Sequence, residues 1–225
     1  MSVEGGLAAV RERIERAAAG AGRSARDVKL VAVSKAQPAG AIRRAYGAGQ
    51  RAFGESYAQE LAAKAEALVD LDEIEWHFIG HLQTNKAKIV ARYAHVVHSV
   101  DSEVLAHELG KRAAREARGV LPVLIEVNVA REPQKAGAAP SEIDAVMQAI
   151  RVEPSLVLQG LMTVPPAGSP EAARGVFGTL ATLRSLHGGP GTLPELSMGM
   201  SADFEMAVAC GSTCVRVGTA IFGER

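Results

Sequence analysis

Lys35 closes the apolar run Leu30-Val31-Ala32-Val33, one residue after Ser34 and three before Pro38. A lysine at the carboxyl end of a buried strand sits at the lip of a core, where desolvation favours the neutral amine. A neutral amine is what a Schiff base with an aldehyde requires. The plain alternative is a lysine whose stem covers the core edge while its ammonium stays in water, and position alone favours it.

A second group of residues lies near the other end of the chain. Ser197-Met198-Gly199-Met200-Ser201 and Val217-Gly218-Thr219-Ala220 put small residues and hydroxyls where two apolar runs end. Backbone N–H groups there can approach a phosphate closely, and a helix starting near Ser201-Ala202-Asp203 would add its positive end. Arg216 lies inside the apolar run Cys214-Val215-Arg216-Val217, where an unpaired guanidinium is costly to bury. One reading pairs it across the interior with an acid such as Glu126. The other makes it a cationic donor to a ring nitrogen of a bound heterocycle. An amine, a phosphate cradle and an arginine beside the cradle together fit pyridoxal 5′-phosphate.

These residues must be positioned by alternating elements. Eight runs read as buried strands: Lys29–Ser34, Arg51–Glu55, Glu75–Gly80, His95–Val100, Pro122–Asn128, Leu156–Met162, Glu195–Met200 and Cys214–Gly218. Helical stripes lie between them: Ala58, Leu61, Ala65 and Leu68; Ile143, Val146, Met147 and Ile150; Val176, Leu180 and Leu183. Pro140-Ser141 with Asp144 reads as the start of the second stripe's helix, and Pro38 suits the first turn after the Lys35 strand. Strict alternation implies parallel strands with right-handed crossovers. Eight strands in 225 residues favour a closed (β/α)8 TIM-type barrel with an extra N-terminal helix, taken as one domain over 1–225. The last helix is then missing or supplied by the N-terminal segment. A doubly wound sheet is the structural alternative.

Composition narrows the function classes. The chain is 48% hydrophobic with a formal net charge of +0, so no basic surplus suggests a nucleic-acid or anionic-membrane partner. No apolar stretch is long enough to span a bilayer, and MSVEGGLAAVRERIERA reads as an amphipathic helix, not a signal peptide. The cytoplasm is expected. Cys210 and Cys214 flank a Gly-Ser-Thr turn without metal-ligand partners and read as two reduced thiols. His77 and His81 are four apart on a strand and its exit, which is no zinc-protease pattern. His77, Ile79 and His81 share one face of the strand, so His81 could lie near the ligand, and a hydrogen-bonded structural histidine is the favoured reading. Glu126 and Asn128 read as polar filling of the barrel.

The chain resembles the pyridoxal phosphate homeostasis protein family, which is related in fold to the barrel domain of alanine racemase. The resemblance rests on Leu30–Lys35, Phe53-Gly54-Glu55, Trp76–Gln83, Leu196–Ser201 and Arg216–Gly223. It implies that Lys35 forms an internal aldimine with pyridoxal 5′-phosphate. It also implies that Ser201, Gly218 and Thr219 hold the phosphate and that Arg216 faces the pyridine nitrogen. The family usually has asparagine where this chain has Ser56, whose hydroxyl keeps it a candidate cofactor contact. The family's Ser-Lys-x-Gly loop reads Gln134-Lys135-Ala136-Gly137 here, and Lys135 reads as a solvated loop lysine.

Racemisation needs an acid and a base on opposite faces of the substrate carbon. In alanine racemases the second face is served by a tyrosine from an additional domain, and this chain ends at Arg225 without one. The expected function is therefore to hold, buffer and hand on the cofactor, with apo-enzymes as partners and a monomeric state. A small amino-acid racemase is the runner-up. A class I aldolase using Lys35 without a cofactor is the third reading.

Overall fold

The computed structural model describes residues 2–116, 119–132, 134–166 and 168–224. Eight parallel strands close into a barrel in chain order: β1 Lys29–Val33, β2 Ala52–Glu55, β3 Glu75–Phe78, β4 Val96–Val100, β5 Leu121–Glu126, β6 Leu156–Met162, β7 Glu195–Ser197 and β8 Cys214–Val217. β8 pairs with β1, Leu30 opposite Val215 and Ala32 opposite Val217, which shuts the ring. The barrel expected from strict alternation is the observed fold, and the doubly wound sheet is not.

Several strands are shorter at their carboxyl ends than the apolar runs suggest. β3 stops at Phe78, β5 at Glu126 and β7 at Ser197. Beyond those points the backbone turns away from regular pairing to build the mouth of the barrel. Asn128 N–H bonds Ala138 O at 2.9 Å, and Arg216 N–H bonds Gly199 O at 2.9 Å.

The helices α1 Val3–Gly20, α2 Ala39–Gly47, α3 Ala58–Ala67, α4 Ala87–Tyr93, α5 Glu103–Glu116, α6 Ile143–Arg151, α7 Pro170–Leu186, α8 Gly189–Thr192, α9 Phe204–Ala209 and α10 Thr219–Phe222 surround the sheet. Because α10 has only four residues, α1 packs against α9, α10 and α2 and fills the missing place in the ring. α6 buries Ile143, Val146, Met147 and Ile150 as its spacing predicts. Its start differs: a 3-10 turn over Pro140–Glu142 precedes it, and Glu142, not Asp144, accepts a backbone N–H, that of Ala139 at 2.7 Å. Pro38 likewise stands just outside α2 as its N-cap.

The apolar core is divided. Outward-facing strand residues such as Ala32, Phe53, Trp76, Val97, Val123, Ile125, Leu196 and Val215 join the helices in one large cluster. Each such side chain contributes about 1.5–3 kcal/mol on full burial, so this outer layer dominates the fold's stability. The alternate positions face inward. They form two small clusters, Val31 with Ala52 and Cys214, and Val96 with Leu124 and Met162. Buried His77, His98, Ser197 and Arg216 complete the interior with polar groups.

Candidate functional site at the carboxyl ends of the strands

The carboxyl ends of β1, β2, β3, β7 and β8 enclose a cavity of about 570 Å³. Lys35, Ser56, Ser201, Arg216, Gly218 and Thr219 all line it, with Val33, Gln37, Ile79, Val164 and Met200. The residues singled out from sequence on four separate strand exits thus share one cavity, in a volume suited to a small ligand.

The Lys35 segment is held from below. Ala36 has φ 59°, a left-handed conformation rare for a residue with a Cβ, and its N–H bonds Glu60 Oε1 at 2.5 Å. Lys64 of α3 donates to Ser34 O at 2.6 Å, to Glu55 Oε1 at 2.7 Å and to Glu60 Oε1 at 2.7 Å. Ser34 Oγ donates to the same Glu55 oxygen at 2.6 Å. Burial pushes the Glu55 carboxyl up, opposed by Lys64 and Ser34. The peptide that carries Lys35 is therefore fixed by a buried charge network outside the sheet. The α3 stripe is observed, with Ala58, Leu61 and Leu68 buried and Ala65 packed against the core, and Lys64 is buried beside it. A lysine at 9% side-chain exposure could be suspected from sequence only by noticing Glu60 four residues earlier and Glu55 on the preceding strand.

Ser56 is delivered by a close crossing. A Cβ on Gly80 would lie 2.1 Å from Ser56 O, so only glycine lets the β2 and β3 exits touch there. Tyr57 borders an adjoining cavity with Ser56, Gly80, His81 and Lys86. His81 sits on that rim too, 3.5 Å from Asp101, and does not line the main cavity.

At the opposite wall, Ser201 Oγ accepts from the N–H groups of Gly218 at 3.3 Å and Ala220 at 3.4 Å. An oxygen therefore already stands where converging amides at the start of α10 point. Gly199 makes the turn possible, with φ 99° and a notional Cβ only 2.6 Å from Ala207 Cβ. The following helix begins at Phe204, with Asp203 as its cap and Asp203 Oδ1 accepting from Met200 N–H at 2.6 Å.

Arg216 is 4% exposed and does not pair with Glu126. Its guanidinium donates to Ser197 Oγ at 2.6 Å and to Thr163 O at 2.9 Å. Burial lowers its affinity for its proton without bringing it near neutrality. Glu126 is pushed up to about 7 by burial, and its Oε2 has no hydrogen-bond partner. Neither Ser197 nor Thr163 was legible as a partner of Arg216, since both depend on strand register across the interior.

Two other expectations change. Asn128 is not interior filling: its amide donates to Glu132 O at 2.9 Å, and its Oδ1 accepts from Glu132 N–H, tying the loop after β5. Lys135 is paired with Glu132 and is not a solvated lysine. Cys210 and Cys214 are free thiols, and burial pushes Cys214 up to about 12.

The chain matches the family described as Alanine racemase, N-terminal domain, over residues 6–225. It is 44% identical to a pyridoxal phosphate homeostasis protein of Aquifex aeolicus over 222 residues, covering 97% of this chain and 96% of that one. It is also similar to PipY of Synechococcus elongatus in a structure with PLP bound, at 36% identity and a TM-score of 0.86, over 99% of this chain and 100% of PipY. Alanine racemase of Corynebacterium glutamicum shares the fold at 21% identity and a TM-score of 0.65, over 97% of this chain and 62% of the enzyme. The chain belongs to the pyridoxal phosphate homeostasis protein family.

Proposed function

We propose that this chain binds pyridoxal 5′-phosphate through Lys35 and serves as an intracellular reservoir and supplier of that cofactor. The observation that carries the reading is the single cavity lined by an amine, an amide cradle and a buried guanidinium. Each matches a different part of the cofactor: Lys35 the aldehyde, Ser201 with Gly218 and Thr219 the phosphate, Arg216 the ring nitrogen, with Ser56 as a further contact. The guanidinium of Arg216 donates to Ser197 Oγ and Thr163 O and to no carboxylate among the described residues, which leaves it able to donate to a ligand acceptor as well. The relatives' name and the PLP-bound PipY structure support the same reading.

When bound, the cofactor supplies an aldehyde that condenses reversibly with primary amines. The residues around it serve retention. A guanidinium at a ring nitrogen donates a hydrogen bond and disfavours protonation there, which weakens the ring as an electron sink. Among the described residues lining the cavity, Lys35 and Arg216 are the cations, so no further cation is present to seat a substrate carboxylate. The lining also lacks a buried second base, Glu224 being exposed at the rim. These features favour holding the cofactor over racemising an amino acid. No described helix is long and apolar enough to cross a membrane. The reading extends to a cytoplasmic monomer acting as one domain, with apo-enzymes as recipients.

The test is direct. Purified protein is expected to be yellow, and borohydride reduction followed by mass spectrometry to find one pyridoxyl group, on Lys35. Lys35→Ala is expected to be colourless. A colourless wild type after incubation with pyridoxal phosphate, or a label elsewhere, would defeat the proposal. Solvent exchange of an amino acid's α-hydrogen at enzyme-like rates would restore the racemase reading.

A further inference from the structure

Arg216 is one end of a chain of polar contacts that runs the length of the barrel interior. Its guanidinium donates to Ser197 Oγ at 2.6 Å. Ser197 Oγ is 2.8 Å from His98 Nδ1. His98 Nε2 is 2.8 Å from His77 Nδ1, the rings meeting nearly edge to face at 65°. His77 Nε2 lies 3.4 Å from Glu75 Oε1, close enough for electrostatic attraction but without hydrogen-bond geometry. Glu75 accepts from Lys29 Nζ at 3.0 and 3.2 Å. Ser197, His77 and His98 are wholly buried. Lys29 and Glu75 line a second cavity, of about 470 Å³, at the amino-terminal end of the strands. The path thus joins one cavity to the other through the barrel.

Both termini of this path have fixed chemistry. Arginine can only donate, and an ionised glutamate can only accept. Ser197 Oγ therefore accepts a hydrogen bond from Arg216 and has its own proton to donate in a further one. If it gives that proton to His98 Nδ1, a neutral His98 carries hydrogen on Nε2 and donates to His77 Nδ1. His77 then carries hydrogen on Nε2, the ring atom nearest the Glu75 carboxylate. The hydrogen bonds from Arg216 through Ser197 and His98 to His77 all run the same way. The reverse order in the middle would either leave a bare His77 Nε2 facing the Glu75 carboxylate or put an imidazolium at His77 in the buried interior. Burial holds His98 well below the ordinary imidazole range, so it is neutral in either order.

We propose that Ser197, His98 and His77 form a one-way hydrogen-bond chain that orients Arg216 in the mouth cavity, and that the Glu75 carboxylate at the opposite end of the barrel sets its direction by attracting the Nε2 hydrogen of His77. These four are positioning residues, since none lines the mouth cavity. The proposal rests on the cofactor reading for its consequence, though not for its geometry. Thr163 O fixes a second guanidinium nitrogen, so a disturbance at Ser197 tilts the group instead of freeing it.

The first experiment needs no cofactor. Long-range ¹H–¹⁵N spectra of ligand-free protein at pH 7 are expected to find His98 and His77 neutral, each with bare Nδ1 and protonated Nε2. Protonation of His98 on Nδ1, or an imidazolium at His77, overturns the chain. The second experiment measures coupling. Ser197→Ala is expected to weaken pyridoxal phosphate binding about tenfold, as for one lost hydrogen bond to a charged group, and to move the absorption maximum. Ser197→Thr, which keeps the hydroxyl, is expected to restore both. Glu75→Gln, at the far end, is expected to weaken binding about two- to threefold, a fraction of one such bond. Unchanged affinity and spectrum in folded Ser197→Ala and Glu75→Gln would overturn the coupling. If Ser197→Ala does not fold, the wild-type imidazole spectra and Glu75→Gln decide the matter. A wild type that binds no pyridoxal phosphate would sink the cofactor reading, and the imidazole pattern would still judge the chain.

Discussion

At the amino-terminal end of the barrel, Lys29 meets Glu75 at 3.0 Å and Arg51 meets Glu73 at 3.0 Å. At the carboxyl-terminal end, Arg216 has only neutral oxygens as hydrogen-bond partners, and Glu126 keeps a buried oxygen without any. The same strands carry both ends, so the contrast is not forced by the fold. Arg216 borders the mouth cavity, where a ligand can add a partner, whereas Glu126, like Glu195 at the start of β7, keeps an unpaired buried oxygen outside that lining. Lys35 falls between the two cases, with its amine at the cavity and its backbone held by the Glu55–Lys64–Glu60 network.

That network gives the largest expected effect. Lys64→Met would strand buried Glu55 and release Ser34 O, costing about 3–5 kcal/mol in denaturant unfolding. Adding Glu55→Gln is expected to return much of that loss. If Lys64→Met alone is neutral, the Lys35 segment is held by something other than this pairing.

The two acids facing the interior should respond to pH with opposite sign. Glu126 is raised to about 7 in the folded state. The folded protein then binds the extra proton between its ordinary value and 7, so this group's contribution falls as pH rises through that window. Glu126→Gln is expected to stabilise the protein at pH 8 by on the order of 3 kcal/mol and to do little at pH 5. Thermal unfolding of both proteins at the two pH values checks it. Equal differences at pH 5 and 8 would mean that Glu126 is not held protonated.

Glu75 runs the other way and more gently. Contact with His77, then with Lys29, holds it down to about 2 against the effect of burial. Its stabilisation is present above the ordinary carboxylate value and is lost as pH falls through 2. Because the pair is partly exposed, Glu75→Gln is expected to cost about 1–2 kcal/mol at pH 7 and nothing measurable below pH 2. A cost that persists in strong acid would assign the effect to packing and remove the contrast between the two ends.

Much of the fold could be read directly. Short apolar runs separated by helical stripes declare alternating elements, and eight of them in 225 residues leave few arrangements besides a closed barrel. The strand exits were less legible, because Gly199 and Asn128 act through turn geometry and loop contacts that no periodicity records. Lys135 looked solvated for a related reason: its partner Glu132 is three residues away on an irregular loop, where spacing carries no rule.

The sequence by itself determined the alternation, the amine at the end of β1 and the small, hydroxyl-bearing exits after β7 and β8, because each is a local property of a few adjacent residues. Only the tertiary structure decided that Lys64 underpins Lys35, that Arg216 avoids Glu126, and that two histidines lie between Arg216 and Glu75. Ser197 and His98 are 99 positions apart, and His77 and His98 are 21 apart. Strand register and barrel closure bring such groups within hydrogen-bond reach, and neither is written in any one segment.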